Sequence, residues 1–253
     1  MVFVGLVLGA WLPPAACDDA PLVAAASDLK FALEEVAARF RDDTRRDVRL
    51  VFGSSGNFYR QIEQDAPFQL FLSADEQYVF RLADAGRTVD RGALYALGRI
   101  VLFASHGSPL EVRAGMTGLR AALRAGRVRR LAIANPEHAP YGRAAEQALR
   151  SAGLWEQARP LLVLGENVSQ AAQFASGAAA QGGIFAYSLA LAPELARRGR
   201  FVLLPQELHA PIRQRMVLLE GAGDTARAFY RYLQQPQARA VLQRHGFALP
   251  GEQ

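Results

Sequence analysis

The stretch LVAAASDLKFALEEVAARF, residues 22–40, runs from a strand-like segment into a helix-like segment with almost no loop between them. Leu22–Ala26 is a short apolar run of the kind found in buried strands. Leu29, Leu33 and Phe40 then recur at helical spacing, which places them on one face of a helix. A strand followed directly by an amphipathic helix is the repeating unit of α/β architecture.

Further short apolar runs repeat this pattern along the chain. They predict strands at residues 48–52, 68–72, 100–104, 131–134, 161–164, 183–187, 201–204 and 212–219. Helical patterns separate most of them, and Pro236 can occupy the first turn of a last helix that stops at Gly246. This alternation predicts an α/β fold of mixed, mostly parallel sheets whose faces are covered by helices.

Composition narrows the class of protein. The chain has 253 residues, of which 51% are hydrophobic, so it can bury a large core. Its single cysteine cannot form an internal disulfide, and no Cys/His group has zinc-site spacing. The net charge is +5, but the 29 basic residues, of which Lys30 is the only lysine, are scattered among acids. We attribute the charge to an arginine-rich composition and expect no nucleic-acid partner.

Residues 1–21 are predicted to be an export signal. Residues 2–12 are almost wholly apolar and are followed by two prolines, small residues and Cys17. Such a run is too short to span a bilayer but suits the core of a signal peptide. A lipoprotein signal with a lipid-modified Cys17 is the alternative, and the missing basic segment would fit a translation start further upstream. Either signal places the mature domain outside the cytoplasm, in the periplasm.

Four predicted strands run into helix starts built from small or polar residues. They are residues 25–28, 53–57, 140–142 and 165–169. Each helix start offers backbone N–H groups without a helical acceptor and the positive end of a helix dipole, which together can bind an anion. Because strand carboxyl ends gather at one edge of a sheet, several such turns can converge on one small ligand.

Some of these polar residues have a simpler explanation. The candidates for plain helix caps are Ser27, Asn57 and Asn167. Residues 73–76 (Ser-Ala-Asp-Glu) have the pattern of a capping box, and we assign them only that role. Ser54 and Ser55 favour a binding role, because a cap needs only one serine and the flanking glycines let the backbone approach a ligand closely.

Enzymatic templates fit the serines poorly. Residues 53–56 (Gly-Ser-Ser-Gly) match neither the G-x-S-x-G elbow nor a phosphate-binding P-loop. A serine hydrolase would need a histidine beside Ser54 or Ser55, and His138 is the one that the fold could deliver. We expect His138 to be a solvated or structural residue. A serine-dependent or phosphate-ester enzyme using the same loops remains the alternative from a different class.

Six segments, taken in order, resemble the molybdate-binding proteins of ABC importers. They are residues 24–27, 52–56, 66–75, 135–142, 165–168 and 228–233. The resemblance implies a two-lobed periplasmic binding protein of type II, and not an enzyme. It implies a monomer without a cofactor that captures molybdate or tungstate between its lobes and delivers it to an inner-membrane ABC permease with its ATPase. A receptor for sulfate or another tetrahedral oxyanion is the alternative within this class.

The resemblance also implies a set of ligand-binding residues. The oxyanion would be held through its oxygens, without direct metal ligands, by hydroxyl and backbone donors. These donors are the hydroxyl and amide of Ser27, the hydroxyl and amide of Ser55, and the amides of Tyr141 and Val168. A shell of donors alone suits a fully deprotonated anion. Further candidates at the same turns are Asp28, Ser54, Asn167 and Tyr187.

Two of these further candidates depart from the family pattern. The position of a ligand-binding tyrosine in some members corresponds to Ala186 here, and one step along a strand reverses the face, so we expect Tyr187 to lie in the core or hinge. A carboxylate beside an anion site would repel the anion unless its side chain turns away. We therefore assign Asp28 to stabilising the helix start and keep only its backbone N–H as a donor.

Chain order implies how the two lobes divide the sequence. Lobe 1 is expected to comprise residues 22–100 and 216–253, and lobe 2 residues 101–215, with crossings near 100–104 and 212–219. The two serine donors would then lie on one lobe and the Tyr141 and Val168 amides on the other. Ligand binding would favour the closed cleft.

Overall fold

A computed structural model of the chain describes residues 20–251. The strands are β1 (Leu22–Ala26), β2 (Arg49–Gly53), β3 (Phe68–Ser73), β4 (Ala93–Gly98), β5 (Ile100–Ser105), β6 (Leu131–Ala134), β7 (Leu162–Gly165), β8 (Gly182–Ala186), β9 (Gly199–Leu203) and β10 (Ile212–Leu218). The helices are α1 (Lys30–Thr44), α2 (Ser55–Glu63), α3 (Glu76–Asp84), α4 (Gly115–Arg124), α5 (Pro140–Ser151), α6 (Trp155–Ala158), α7 (Val168–Ser176), α8 (Tyr187–Ala190), α9 (Pro193–Ala196), α10 (Asp224–Tyr232) and α11 (Pro236–Arg244).

The strands form two sheets with the same internal pattern. The first has the order β2-β1-β3-β10-β4 and the second β7-β6-β8-β5-β9. In the first sheet only β10 runs against its neighbours, and in the second only β5 does. The prediction of mixed, mostly parallel sheets flanked by helices is therefore confirmed. Both reversed strands enter directly from the other sheet, so the reversal marks the two crossings between lobes.

The crossings lie at the ends of strands. Arg99 alone separates β4 from β5, and residues 204–211 connect β9 to β10. All of β10 pairs in the first sheet, with β3 and β4, so residues 212–215 belong with that sheet and not with the second lobe. In the C-terminal helices, the Phe229 ring packs 5.0 Å from the Phe40 ring of α1, which attaches this segment to the first lobe.

Several local predictions need correction. Strand β4 was not predicted, since its sequence ALYALG is rich in alanine and leucine, which favour helices. Strand β8 ends at Ala186, one residue before Tyr187, which begins α8. The predicted capping box at 73–76 is wrong: Asp75 caps α3 by accepting from the Gln77 amide at 2.9 Å. The last helix, α11, begins at Pro236 and ends before Gly246, as predicted.

The predicted export signal falls almost entirely outside the described residues, which begin at residue 20. Cys17 and the proposed cleavage region are therefore not described. Within residues 20–251, none of the helices is both long enough and apolar enough to cross a membrane.

Candidate oxyanion-binding site

A small cavity lies between the two lobes, and the space between its lining atoms, part of it open to solvent, is about 180 Å³. It is bounded by the carboxyl ends of β1 and β2 on one side and by the first turns of α5 and α7 on the other. The residues that line it are Ala26, Ser27, Asp28, Gly53, Ser54, Ser55, Ala74, Ala139, Pro140, Tyr141 and Val168. The four helix starts predicted from the sequence therefore meet at one place, although their residues come from segments far apart in the chain.

Four backbone amides at this cavity are unpaired. They belong to Ser27, Ser55, Tyr141 and Val168, each in the first turn of a helix or 3-10 turn. Within residues 20–251, no backbone or side-chain acceptor is bonded to any of the four. Unpaired N–H groups at helix starts carry partial positive charge, and here they come from both lobes. The cavity can therefore surround a small anion with neutral donors.

The two serine hydroxyls differ in what they already contact. Ser55 is fully buried, and its Oγ accepts from the Ala74 amide at 2.9 Å, which leaves the hydroxyl proton available to a ligand. The Ser27 hydroxyl instead donates to Asn167 Oδ1 at 3.1 Å and accepts from the Ser169 amide at 3.2 Å. Ser27 thus links β1 of the first lobe to α7 of the second.

Two of the further candidates act as helix caps. Ser54 caps α2, accepting from the Asn57 amide at 3.4 Å, and Asn167 caps α7, accepting from the Gln170 amide at 3.0 Å. Ser54 also lines the cavity, whereas Asn167 does not. The cap role suggested for Asn57 is wrong: its side chain reaches across the cleft to Glu166. Ser27 is not a side-chain cap either.

Tyr187 lies away from the cavity. Its ring packs 5.9 Å from the Phe201 ring, and its amide donates to the Arg99 carbonyl at the first crossing at 2.9 Å. Tyr187 is not among the cavity-lining residues, so the suggestion that it binds the ligand is not supported, and the expected core or hinge position is what the structure has. The physical reason is that β8 ends at Ala186. Tyr187 is the first residue of α8, so the helix and not the strand sets the direction of its side chain.

The side chain of Asp28 is buried next to the site and contacts Tyr141 and Gln214. The residue is only 1% exposed, and its Oδ2 accepts from Tyr141 Oη at 2.8 Å and from Gln214 Nε2 at 2.6 Å. Its other oxygen, Oδ1, is buried without a partner among the described residues. Burial raises the pKa of Asp28 to about 6, against the lowering effect of the hydrogen bonds from Gln214 and Tyr141 and of the nearby backbone N–H groups of Asp28 and Leu29. A buried carboxyl group therefore lies next to the assigned donors Ser27 and Tyr141.

Asp28 belongs to a buried network that the sequence analysis missed. Gln214 on β10 donates to both Asp28 and Tyr141, and it accepts from Tyr95 Oη at 2.7 Å. Burial, together with the nearby Asp28, raises the pKa of both tyrosines, so they stay protonated. A glutamine inside the predicted strand 212–219 is the one sequence signal that could have pointed to this network, and it is weak. The network joins the first lobe, the second lobe and a crossing strand.

His138 is a contact between the lobes, which agrees with the structural role considered for it. The residue is buried, with Nδ1 2.9 Å from Ser54 Oγ and Nε2 3.6 Å from Glu166. Its carbonyl accepts from the Gly56 amide of the other lobe at 2.9 Å. At the edge of the cleft, Arg143 of the second lobe pairs with Asp75 of the first. These contacts show that the cleft is closed.

Two mixed sheets joined by two crossings, with a donor-lined cavity between them, define the chain as a two-lobed solute-binding protein. Residues 21–248 match a family model described as bacterial extracellular solute-binding protein, and the chain belongs to that family. The members of this family bind solutes for transport and are not enzymes, so the serine–histidine contact at the cleft is structural.

Individual relatives agree with this assignment. The chain is 35% identical to the molybdate-binding protein ModA of Rhodobacter capsulatus over 96% of this chain and 93% of the relative. It is 34% identical to the molybdate-binding protein ModA of Azotobacter vinelandii over 96% of both chains. The solved periplasmic molybdate-binding protein of Azotobacter vinelandii superposes with a TM-score of 0.82 at 29% identity, covering 91% of this chain and 99% of that one. The resemblance inferred from the sequence is thereby confirmed.

Proposed function

We propose that this protein captures molybdate or tungstate in the cavity between its lobes and presents the oxyanion to an ABC permease. The observation that carries the proposal is the convergence of four unpaired amides, two from each lobe, on one small cavity. The choice of molybdate over other tetrahedral anions is supported by the relatives, which are named for binding molybdate.

The donors that we assign are the amides of Ser27, Ser55, Tyr141 and Val168 and the hydroxyls of the two serines. Each hydrogen bond to a charged oxygen contributes about 1.5 to 3 kcal/mol to binding. Because the donors are neutral, the anion can still dissociate. The Ser27 hydroxyl donates its hydrogen bond to Asn167 in this structure. To donate to the anion it must give up that acceptor, so this exchange of acceptors accompanies binding. Ser54 and the amide of Asp28 line the cavity beside these donors.

The transport role sets the expected surroundings. The protein acts as a monomer in the periplasm after removal of the leader in residues 1–21, or remains attached to the membrane through a lipid on Cys17. Its partner is an inner-membrane permease driven by an ATPase. Lobe 1 comprises residues 22–98 and 212–251, and lobe 2 comprises residues 100–203.

Calorimetric titration of the purified protein tests the proposal. We expect one-to-one binding of molybdate and tungstate, much tighter than binding of sulfate or phosphate. Sulfate binding that equals or exceeds molybdate binding would leave only the oxyanion class. Phosphate is included in the titration because hydrogen phosphate carries a proton and could donate a hydrogen bond to the unpartnered Oδ1 of Asp28. Preferential phosphate binding would replace molybdate by a protonated oxyanion as the ligand.

A further inference from the structure

The buried carboxyl group of Asp28 stands beside a cavity that we assign to a dianion. Asp28 lines the cavity, and the donors Ser27 and Tyr141 are respectively its chain neighbour and its hydrogen-bond partner. An ionised carboxylate next to a dianion in a buried site would be strongly repelled, because charges are screened less in a buried site than at the surface. The anion can therefore bind in this cavity only if the carboxyl group of Asp28 takes up a proton.

The two oxygens of Asp28 are not equivalent. Tyr141 and Gln214 both donate to Oδ2, which is thereby kept as an acceptor. Oδ1 has no partner among the described residues although it is buried. A buried polar atom without a partner is costly, and it becomes satisfied if it carries a proton that it can donate to a ligand oxygen. The geometry leaves Oδ1 as the position for that proton.

No fixed cation in the described structure replaces the proton. The groups that contact Asp28 from the packed elements are neutral: Tyr141 of α5 and Gln214 of β10 at the carboxyl group, Ser188 of α8 at the backbone carbonyl and, through Gln214, Tyr95 of β4. Arg213 and Arg215 flank Gln214 on the opposite face of the strand and pair with Glu76. Lys30 is two residues after Asp28 in the chain, and its Nζ lies 5.7 Å from the centre of the Phe31 ring.

We propose that binding of molybdate, on the function proposed above, is coupled to the uptake of one proton by Asp28, which then donates from Oδ1 to an oxygen of the anion. The proton comes from solution, no bond to molybdenum changes, and the bound complex carries one negative charge less than the sum of the free partners. Asp28 is thus a specificity-determining residue, because a dianion must bring a proton to Oδ1, whereas hydrogen phosphate would bring its own.

The raised pKa of Asp28, about 6, makes the coupling measurable. At pH 7 and above the free protein is mostly ionised at Asp28, so binding should take up about one proton per molybdate. The dissociation constant should then rise about tenfold for each pH unit between pH 7 and pH 9. A site that bound the anion without a proton would show no such slope.

The experiment is calorimetric titration with molybdate at pH 7 and pH 8 in PIPES and in Tris, whose heats of ionisation differ. The dependence of the observed heat on the buffer gives the number of protons taken up. We expect about one for the wild type and none for Asp28→Asn, whose affinity should not depend on pH. His138→Gln is the matched control, because it removes the nearest histidine and should keep the proton uptake whatever its affinity.

Each outcome is decisive. Molybdate binding without proton uptake by the wild type would overturn the inference and leave the proposed function intact, as would uptake that persists in Asp28→Asn. Binding of phosphate but not molybdate would overturn the proposed function itself. If Asp28→Asn failed to fold, infrared difference spectra of the wild type would serve instead: a protonated carboxyl band should appear on adding molybdate, and its absence would overturn the inference.

Discussion

Alanine at Gly56 should prevent the cleft from closing without harming the fold. Gly56 lies in the first turn of α2, and its amide donates to the His138 carbonyl of the other lobe at 2.9 Å. A Cβ at this position would lie 2.6 Å from that carbonyl oxygen and 2.8 Å from Tyr78 Oη. The tyrosine end can move, but the His138 carbonyl is backbone, so the lobes must separate there.

The size of the effect follows from these distances. Ordinary contact begins at 3.4 Å, so the lobes must open by about 0.8 Å at Gly56, which breaks the hydrogen bond to His138. Loss of one donor to the anion costs about 1.5 to 3 kcal/mol, so the dissociation constant for molybdate should rise by a factor between about 10 and about 140. Helix propensity favours alanine by about 0.5 to 1 kcal/mol, so the ligand-free protein should unfold no more easily.

Calorimetric titration with molybdate, together with thermal unfolding without ligand, separates these effects. Gly223→Ala is the matched control, because its Cβ would meet Gln69 Oε1 at an ordinary 3.4 Å within the first lobe, and it should bind normally. If folded Gly56→Ala bound molybdate within about twofold of the wild type, a difference well below 1 kcal/mol, the closed cleft would not be the binding form.

Three further outcomes are expected. Ser55→Ala should weaken molybdate binding by about 1 to 3 kcal/mol and lower the unfolding midpoint, since the Ala74 amide loses its acceptor; unchanged affinity by calorimetry would restrict Ser55 to a structural role. His138→Ala should weaken binding by about 1 kcal/mol through loss of the Ser54 contact, and equal affinity would show that this contact does not hold the lobes. Because the pKa of Asp28 is raised from 3.8 to about 6, the ligand-free protein should lose up to about 3 kcal/mol of stability in urea as the pH rises from 4 to 6, and Asp28→Asn should abolish that loss.

The sequence predicted those parts of the site that depend on local structure. The amides of Ser27, Ser55, Tyr141 and Val168 are unpaired because each residue starts a helix, and a helix start can be recognised within a few residues of chain. Their convergence was also predictable, because the carboxyl ends of neighbouring strands meet at one edge of a sheet. The resemblance to a known family then supplied the ligand.

The sequence did not reveal contacts between distant segments. Asp28 is separated by 113 residues from Tyr141 and by 186 from Gln214, and 84 residues separate Ser54 from His138. Whether a carboxylate points into a cavity or away from it depends on these partners, and no local pattern encodes them. The same limit applies to β4, whose alanine and leucine residues become a strand only by pairing with β10.

The network around Asp28 also explains how the hinge can respond to the ligand. At the end of β4, a Cβ on Gly98 would lie 2.3 Å from Tyr141 Oη and 3.0 Å from Gln214 Nε2, so a glycine beside the crossing makes room for the network. Closing an empty cleft buries the charge of Asp28 with one oxygen unpartnered, which is unfavourable. A bound anion and its proton remove that penalty. The proton uptake proposed for Asp28 therefore takes place where β4 passes into β5, so the ligand site and the crossing are connected through Tyr141 and Gln214.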